Sequence, residues 1–118
     1  MTKEINLNDI EIYIRALHCP IRWDIISIIK NNPKTSEEIY EILKSARKDQ
    51  PYENGKCDGR CMPSHHKNLK KPTLYYHLRE LESAGLIEGK KLLDENGLLS
   101  KEKEWNLTVK ALKINFKD

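Results

Sequence analysis

The stretch that most constrains the fold is KPTLYYHLRELESAGLIEGKKLLDENGLLSKEKEWNL, residues 71–107. Pro72 suits the first turn of a helix, and Gly85 supplies a signal for its end, which predicts a helix over residues 72–85. Its buried stripe is formed by three leucines at helical spacing: Leu74, Leu78 and Leu81. The remainder predicts two strands joined by a turn at residues 94–97. Few small folds contain a helix that leads directly into a β-hairpin.

Helical spacing of apolar residues predicts four further helices. They cover residues 7–17, 20–32, 36–46 and 108–116. Pro20 opens the second of these, and Thr35 with Glu38 forms a capping box before the third. The predicted order is therefore α-α-α-α-β-β-α, a mainly α fold with a small β-hairpin wing. We expect one domain over residues 1–118, with an insertion at about 47–70 in which no periodicity is visible.

Composition limits the class of protein. The chain has 118 residues, of which 38% are hydrophobic and 33% charged, so it can bury one modest core. Its apolar stretches are too short to cross a bilayer, and the first residues lack a secretory pattern. Three cysteines, an odd number, argue against a secreted disulfide framework. We therefore expect a cytoplasmic protein with no membrane partner.

Positive charge is concentrated in one segment. Residues 44–71 hold eight basic and three acidic residues, which gives +5; because the whole chain is +3, the other residues sum to −2. A solvated run of charge is one interpretation. The other is a surface that faces phosphates, and it requires the following helix to bind nucleic acid.

Three segments resemble the ArsR-type winged helix-turn-helix regulators of prokaryotes: ALHCPIRWDIISII, TSEEIYEIL and KPTLYYHLRELESAGLIE. The resemblance extends over nearly the whole chain except residues 47–70, where about twenty extra residues replace a short turn. It implies a winged helix-turn-helix fold and a sequence-specific transcriptional regulator, usually a repressor. It also implies a homodimer that pairs through its terminal helices and binds double-stranded DNA.

The helix at 72–85 would then be the recognition helix, which lies in the major groove of DNA. With the leucines facing inward, we expect DNA contacts from Lys70, Lys71, Thr73, Tyr75, Tyr76 and Arg79. The hairpin adds Lys90, Lys91, Lys101 and Lys103, either as contacts to the DNA backbone or as lysines that protect an exposed strand edge. His77 is interpreted as a packing residue and not as a catalytic or metal-binding one.

The first and last predicted helices carry more apolar residues than one small core needs. The residues expected at a dimer interface are Leu7, Ile10, Ile14, Leu112 and Phe116. A two-fold dimer would present two recognition helices to a two-fold operator.

The segment CDGRCMPSHH, residues 57–66, brings two cysteines and two histidines close together. Cys57 and Cys61, with His65 or His66, fit the ligands and spacing of a zinc site, and Cys19 is a candidate fourth ligand. A redox pair formed by the first two cysteines, or a loop without metal, remains open. Thiolate ligands exclude calcium and magnesium as natural occupants.

A DNA-binding regulator is the favoured function. The alternative is a winged-helix module that binds proteins without reading DNA, and an acidic surface at residues 71–79 would have favoured it. An enzyme is not expected, because the sequence has neither a Gly-rich phosphate loop nor a Ser/His/Asp arrangement in a plausible context.

The zinc hypothesis predicts about one metal ion per chain in protein purified without chelator. Ligand thiols and imidazoles must lose protons to bind metal, so the ion should leave as the pH falls toward about 5. Elemental analysis measures the metal content per chain, and a colorimetric zinc assay follows the release of zinc as the pH falls. The double change Cys57→Ser, Cys61→Ser should abolish metal binding and lower DNA affinity. Metal-free protein with full DNA affinity would contradict the hypothesis.

Overall fold

The computed structural model describes residues 2–46 and 70–117, without the side chains at positions 46, 100 and 101. The helices are α1 (Ile10–Leu17), α2 (Pro20–Ile29), α3 (Ser36–Ala46) and α4 (Lys71–Ser83), and a 3-10 turn (Leu7–Asp9) precedes α1. The strands are β1 (Thr2–Asn6), β2 (Lys34–Thr35), β3 (Ile87–Leu93), β4 (Leu99–Leu107) and β5 (Ala111–Asn115). The predicted winged helix-turn-helix fold is confirmed.

The core lies where α2, α3 and α4 pack together. The leucine stripe of α4 is fully buried there, as predicted. The facing side chains come from one stripe on each of the other two helices: Ile21, Ile25, Ile29, Ile39 and Leu43. Burying one such aliphatic side chain stabilises a fold by about 1.5–3 kcal/mol, so this cluster fixes how the three helices are rotated.

The capping box at the start of α3 forms as predicted. The backbone N–H of Glu38 donates to Thr35 Oγ1 over 3.1 Å, and the N–H of Thr35 donates to Glu38 Oε1 over 3.0 Å. The second hydrogen bond is the main cause of a lowered pKa for the Glu38 carboxyl. Both contacts satisfy backbone donors that a helix start leaves without partners.

The wing is an antiparallel hairpin of β3 and β4, extended by the short β2 on the other side of β4. Its turn lies where predicted: Gly97 takes a positive φ of 79°, and its N–H donates to the carbonyl of Asp94. The Asp94 side chain also accepts hydrogen bonds from two later backbone N–H groups. An L side chain at position 97 would be strained in this turn.

The predicted last helix, residues 108–116, is wrong. Residues Ala111–Asn115 form β5, which pairs in parallel with β1 from Thr2↔Ala111 to Asn6↔Asn115. Leu112 and Ile114 alternate with polar residues, a period of two that competes with the helical spacing. The predicted cap of the helix, Thr108, instead donates through Oγ1 to the carbonyl of Gly85 over 2.7 Å.

Trp105 on β4 joins the wing to the helices. Its indole N–H donates to Ser36 Oγ over 2.8 Å, at the first residue of α3, and both side chains are buried. Gly89 is its cross-strand partner, and a Cβ there would lie 2.8 Å from the indole ring. The wing therefore takes its position from one aromatic ring that fits only beside a glycine. Among the helices of the described ranges, none is both long and apolar enough to cross a membrane.

Gly89→Ala tests this contact. The new methyl group would displace the indole, so we expect the free energy of unfolding to fall by about 1–3 kcal/mol in urea denaturation. Lys91→Ala is the matched control, since it changes an exposed residue on the same face of β3 and should stay within about 0.5 kcal/mol of the wild type. Equal stability of the two variants would contradict the packing described here.

Candidate nucleic-acid interface

The outer face of α4 carries an exposed stripe of three residues that are spaced one helical turn apart: Lys71, Tyr75 and Arg79. All three are exposed, with Tyr75 at 44%. The rotation follows from the leucines, because the inward stripe leaves this side of the helix to solvent. These three residues and Lys70, also exposed, lie where the sequence predicted them.

Two other predicted residues of this helix lie differently. Thr73 was expected on the exposed side, and this is wrong: it is only 2% exposed and lies one turn before the buried His77, on the same side of α4. Tyr76 is half-buried, and the guanidinium of Arg22 lies 5.6 Å from the centre of its ring. In this conformation the stripe therefore offers one tyrosine hydroxyl outward, that of Tyr75.

A groove separates the exposed stripe from the wing. It has a volume of about 440 Å³, and its walls come from α3, α4 and β4. The lining residues are Ser36, Pro72, Tyr75, Arg79, Lys103 and Trp105. Two cations and two aromatic side chains thus border one open cleft. Such a lining suits a phosphate backbone that runs beside the helix.

Lys71 is held by its neighbours on α3. Its ammonium lies 2.9 Å from Glu37 Oε2 and 5.6 Å from the centre of the Tyr40 ring. The hydrogen bond to Glu37, reinforced by the charge of that carboxylate, raises the pKa of Lys71. Both partners are about half exposed, so the ion pair is screened and can exchange for a phosphate.

The wing carries the predicted lysines. Lys90 and Lys91 are exposed on β3, and Lys103 is their neighbour on β4, with its ammonium 5.5 Å from the centre of the Trp105 ring. The backbone of Lys101 belongs to β4, but its side chain is outside what the structure describes. Across the ladder, Lys90 pairs with Glu104 and Lys91 with Lys103.

An apolar groove lies on the terminal elements β1, α1 and β5, with a volume of about 310 Å³. Its apolar lining includes Ile5, Ile10, Tyr13, Ile14, Leu17, Leu112 and Ile114. Three of the predicted interface residues, Ile10, Ile14 and Leu112, are therefore brought together. Leu7 and Phe116 do not line this groove, although both are exposed.

The metal prediction falls mainly outside the described residues. Cys57, Cys61, His65 and His66 all belong to positions 47–69 and are not described. Cys19 is buried directly before α2, with its sulfur 3.5 Å from His18 Nε2, and it is disulfide-bonded. It would have to be reduced to act as a metal ligand. Within residues 2–46 and 70–117, no group of three metal-binding side chains comes together.

Comparison with protein families identifies the class. Residues 17–90 match the model of a helix-turn-helix domain, and this match covers more than half of the chain. The chain belongs to this helix-turn-helix family, and the matched part contains α2, α3 and α4. A search of curated proteins gave no significant match. In DNA-binding domains of this kind the second helix of the motif enters the DNA groove, and by its order along the chain α4 corresponds to that helix.

Two residues that line the groove, Ser36 and Trp105, were not predicted from the sequence. Ser36 and Trp105 form a wall of the groove only because β4 crosses the start of α3. Arg22 was also missed, although a sign was present: it lies three residues before Ile25, on the side of α2 that the core buries.

Proposed function

We propose that this protein is a sequence-specific, DNA-binding transcriptional regulator of the ArsR type, acting as a homodimeric repressor in the prokaryotic cytoplasm, where the chromosome lies. The observation that carries the proposal is the exposed stripe of Lys71, Tyr75 and Arg79 on α4, beside a groove lined by cations and aromatic rings. It occurs in a chain of the helix-turn-helix family. Charge, shape and family each support a duplex as the partner.

In this proposal α4 enters the major groove with its exposed stripe facing the bases. Tyr75 lies at the centre of the stripe, where its hydroxyl can exchange hydrogen bonds with a base edge and its ring can contact a thymine methyl group. Arg79 and Lys103 face the groove between helix and wing, so both serve the phosphate backbone. Thr73 is assigned no base contact because it is buried.

The remaining lysines position the duplex. Lys70 and Lys71 lie at the start of α4, and Lys90 and Lys91 lie on β3, so the two groups flank the stripe from the helix and from the wing. Contacts of this kind add affinity without sequence preference and make binding depend on salt. Glu37 holds Lys71 in the free protein and would release it to a phosphate.

The apolar groove at the chain termini supports the dimer. Ile14 is 58% exposed at the rim of this groove, and the exposed Ile114 comes from the neighbouring β5. A second copy would remove both from water and would set two copies of α4 at the spacing of a two-fold operator. The pairing elements would be α1 and the β1–β5 sheet, in place of two helices.

Variants of the exposed stripe test the DNA assignment. Tyr75→Ala should lower the preference for a selected site over random duplex by about 1–3 kcal/mol, because a base contact is lost. Arg79→Ala should weaken binding to both duplexes alike and reduce the slope of log K against log salt by about 0.9, because a phosphate contact is lost. Fluorescence anisotropy at several salt concentrations measures both quantities. Ser83→Ala, exposed on the same helix but off the stripe, is the control. Wild-type preference in Tyr75→Ala would contradict the assignment.

A pair of matched variants tests the dimer. Ile14→Glu places a charge at the rim of the apolar groove and should give a monomer at micromolar concentration in sedimentation. Ile12 is on the same helix, is of the same residue type and is 55% exposed, but it does not line the groove. Ile12→Glu should therefore remain a dimer. Equal sedimentation of the two variants would contradict this interface.

A further inference from the structure

Arg22 is a buried arginine that joins three helices. It is 1% exposed and lies on α2. Its Nη1 donates to the carbonyls of Arg15 and Ala16, near the end of α1, over 2.8 and 3.2 Å. Its Nε donates to His77 Nδ1 on α4 over 3.0 Å. A guanidinium has a fixed planar fork of donors, so these bonds fix α4 against the α1–α2 corner.

The hydrogen bond to His77 requires one protonation state. A guanidinium in a protein stays protonated, so its Nε–H is the donor and Nδ1 must be the acceptor. Only the neutral imidazole with its proton on Nε2 offers that acceptor. Protonation of His77 would place an N–H on Nδ1 that points at the Nε–H of Arg22. It would also bring a buried imidazolium next to the buried guanidinium. His77 is fully buried, so water cannot relieve this conflict without movement of the helix.

The same contact reaches the surface that reads DNA. His77 lies between Tyr75 and Arg79 in sequence, on the opposite side of α4, and its neighbour Tyr76 packs against the guanidinium. Any shift of His77 away from Arg22 therefore shifts or rotates the exposed stripe. The stripe has to meet base edges within hydrogen-bond distance, so a small displacement is enough to lose discrimination.

We propose that the Arg22–His77 hydrogen bond is a positioning contact for the recognition helix, and that protonation of His77 releases it and weakens sequence-specific DNA binding. This inference rests on the DNA-binding function proposed above. It assigns Arg22 and His77 to the regulation of that site by acidity, although neither residue faces the DNA.

Other titratable groups lie on the Arg22 side of the contact, where they line a cleft of about 450 Å³ together with Arg22. They come from α1, from the α1–α2 corner and from α4: Glu11, Arg15, His18, Tyr76 and Glu80. Glu11 and Arg15 pair with each other over 3.1 Å and are well exposed, so solvent screens their charges. His77 differs from them because it is fully buried and its Nδ1 accepts a hydrogen bond from a guanidinium.

The direction of the pH effect follows from the two protonation states. The hydrogen bond from Arg22 requires a neutral His77, whereas a free imidazole takes up a proton at about pH 6.5. The state with the contact broken therefore binds more protons as the pH falls. The contact is fully present above about pH 7 and is lost progressively below it.

The experiment compares His77→Asn with the wild type between pH 7.5 and 5.5, by fluorescence anisotropy on a selected duplex and on a random duplex of equal length. Asparagine keeps an acceptor at the position of Nδ1 but does not titrate. Between pH 7.5 and 5.5, the preference of the wild type for the selected duplex over the random duplex should fall by about tenfold or more. This is the size expected for a lost hydrogen bond to a charged group. His77→Asn should hold its preference. Glu80→Gln, which removes a carboxyl group on the same helix, should follow the wild type.

Arg22→Lys provides a second variant that keeps a buried cation of similar length but lacks the guanidinium fork. It should show reduced preference already at pH 7.5, with circular dichroism reporting that it remains folded. Wild-type preference and wild-type pH dependence in both His77→Asn and Arg22→Lys would overturn the inference. A wild-type protein that shows no preference even at pH 7.5 would instead overturn the proposed function.

Discussion

The burial of one leucine stripe decides the orientation of the surface on which the proposed function depends. Leu74, Leu78 and Leu81 are fully buried against α2 and α3, so α4 has a single rotation about its axis. That rotation turns Lys71, Tyr75 and Arg79 outward and Thr73 and His77 inward. Local hydrophobic packing thus selects which side chains can meet a duplex, before any of them makes a polar contact.

Two buried polar contacts then fix α4 and the wing relative to the rest of the chain. The indole of Trp105 holds β4 on the first residue of α3, and the guanidinium of Arg22 holds α4 on the end of α1. Elements that are packed through apolar side chains can shift slightly relative to one another, whereas a hydrogen bond requires a particular distance and angle and does not allow such a shift. The groove between helix and wing therefore has a defined width, set at one side by a tryptophan that fits only beside Gly89.

The four helices α1 to α4 and the β3–β4 hairpin could be predicted because each carries its own signal: a stripe with a period near 3.6, a capping box, or a turn with Gly97. The two-residue β2 and the first strand, β1, were not predicted. The last element could not be predicted either. Leu112 and Phe116 fit a helix, while Leu112, Ile114 and Phe116 fit a strand, and the partner that decides between them, β1, lies at the other end of the chain. A parallel pair between the two termini leaves no local trace in either segment.

The site shows the same division between local and distant causes. The exposed position of Arg79 is the one that the leucine spacing predicts. Thr73 and Tyr75 adjoin Leu74 on either side, so the spacing alone does not show which of them is buried. The inward Thr73, the groove wall at Ser36 and the contact between Arg22 and His77 depend on residues far apart in sequence, 55 positions in the last case. No local period encodes a partner at that separation, so these features become visible only when the helices are assembled.

The most direct test of the central claim is selection of binding sites from a pool of random duplexes by the wild-type protein at neutral pH. A two-fold dimer that presents α4 twice predicts an enriched motif with inverted symmetry, whose half-sites lie about 10 base pairs apart, centre to centre. It also predicts that Tyr75→Ala relaxes the motif at the same position in each half-site. Recovery of no motif, or of the same motif by Tyr75→Ala, would contradict the account.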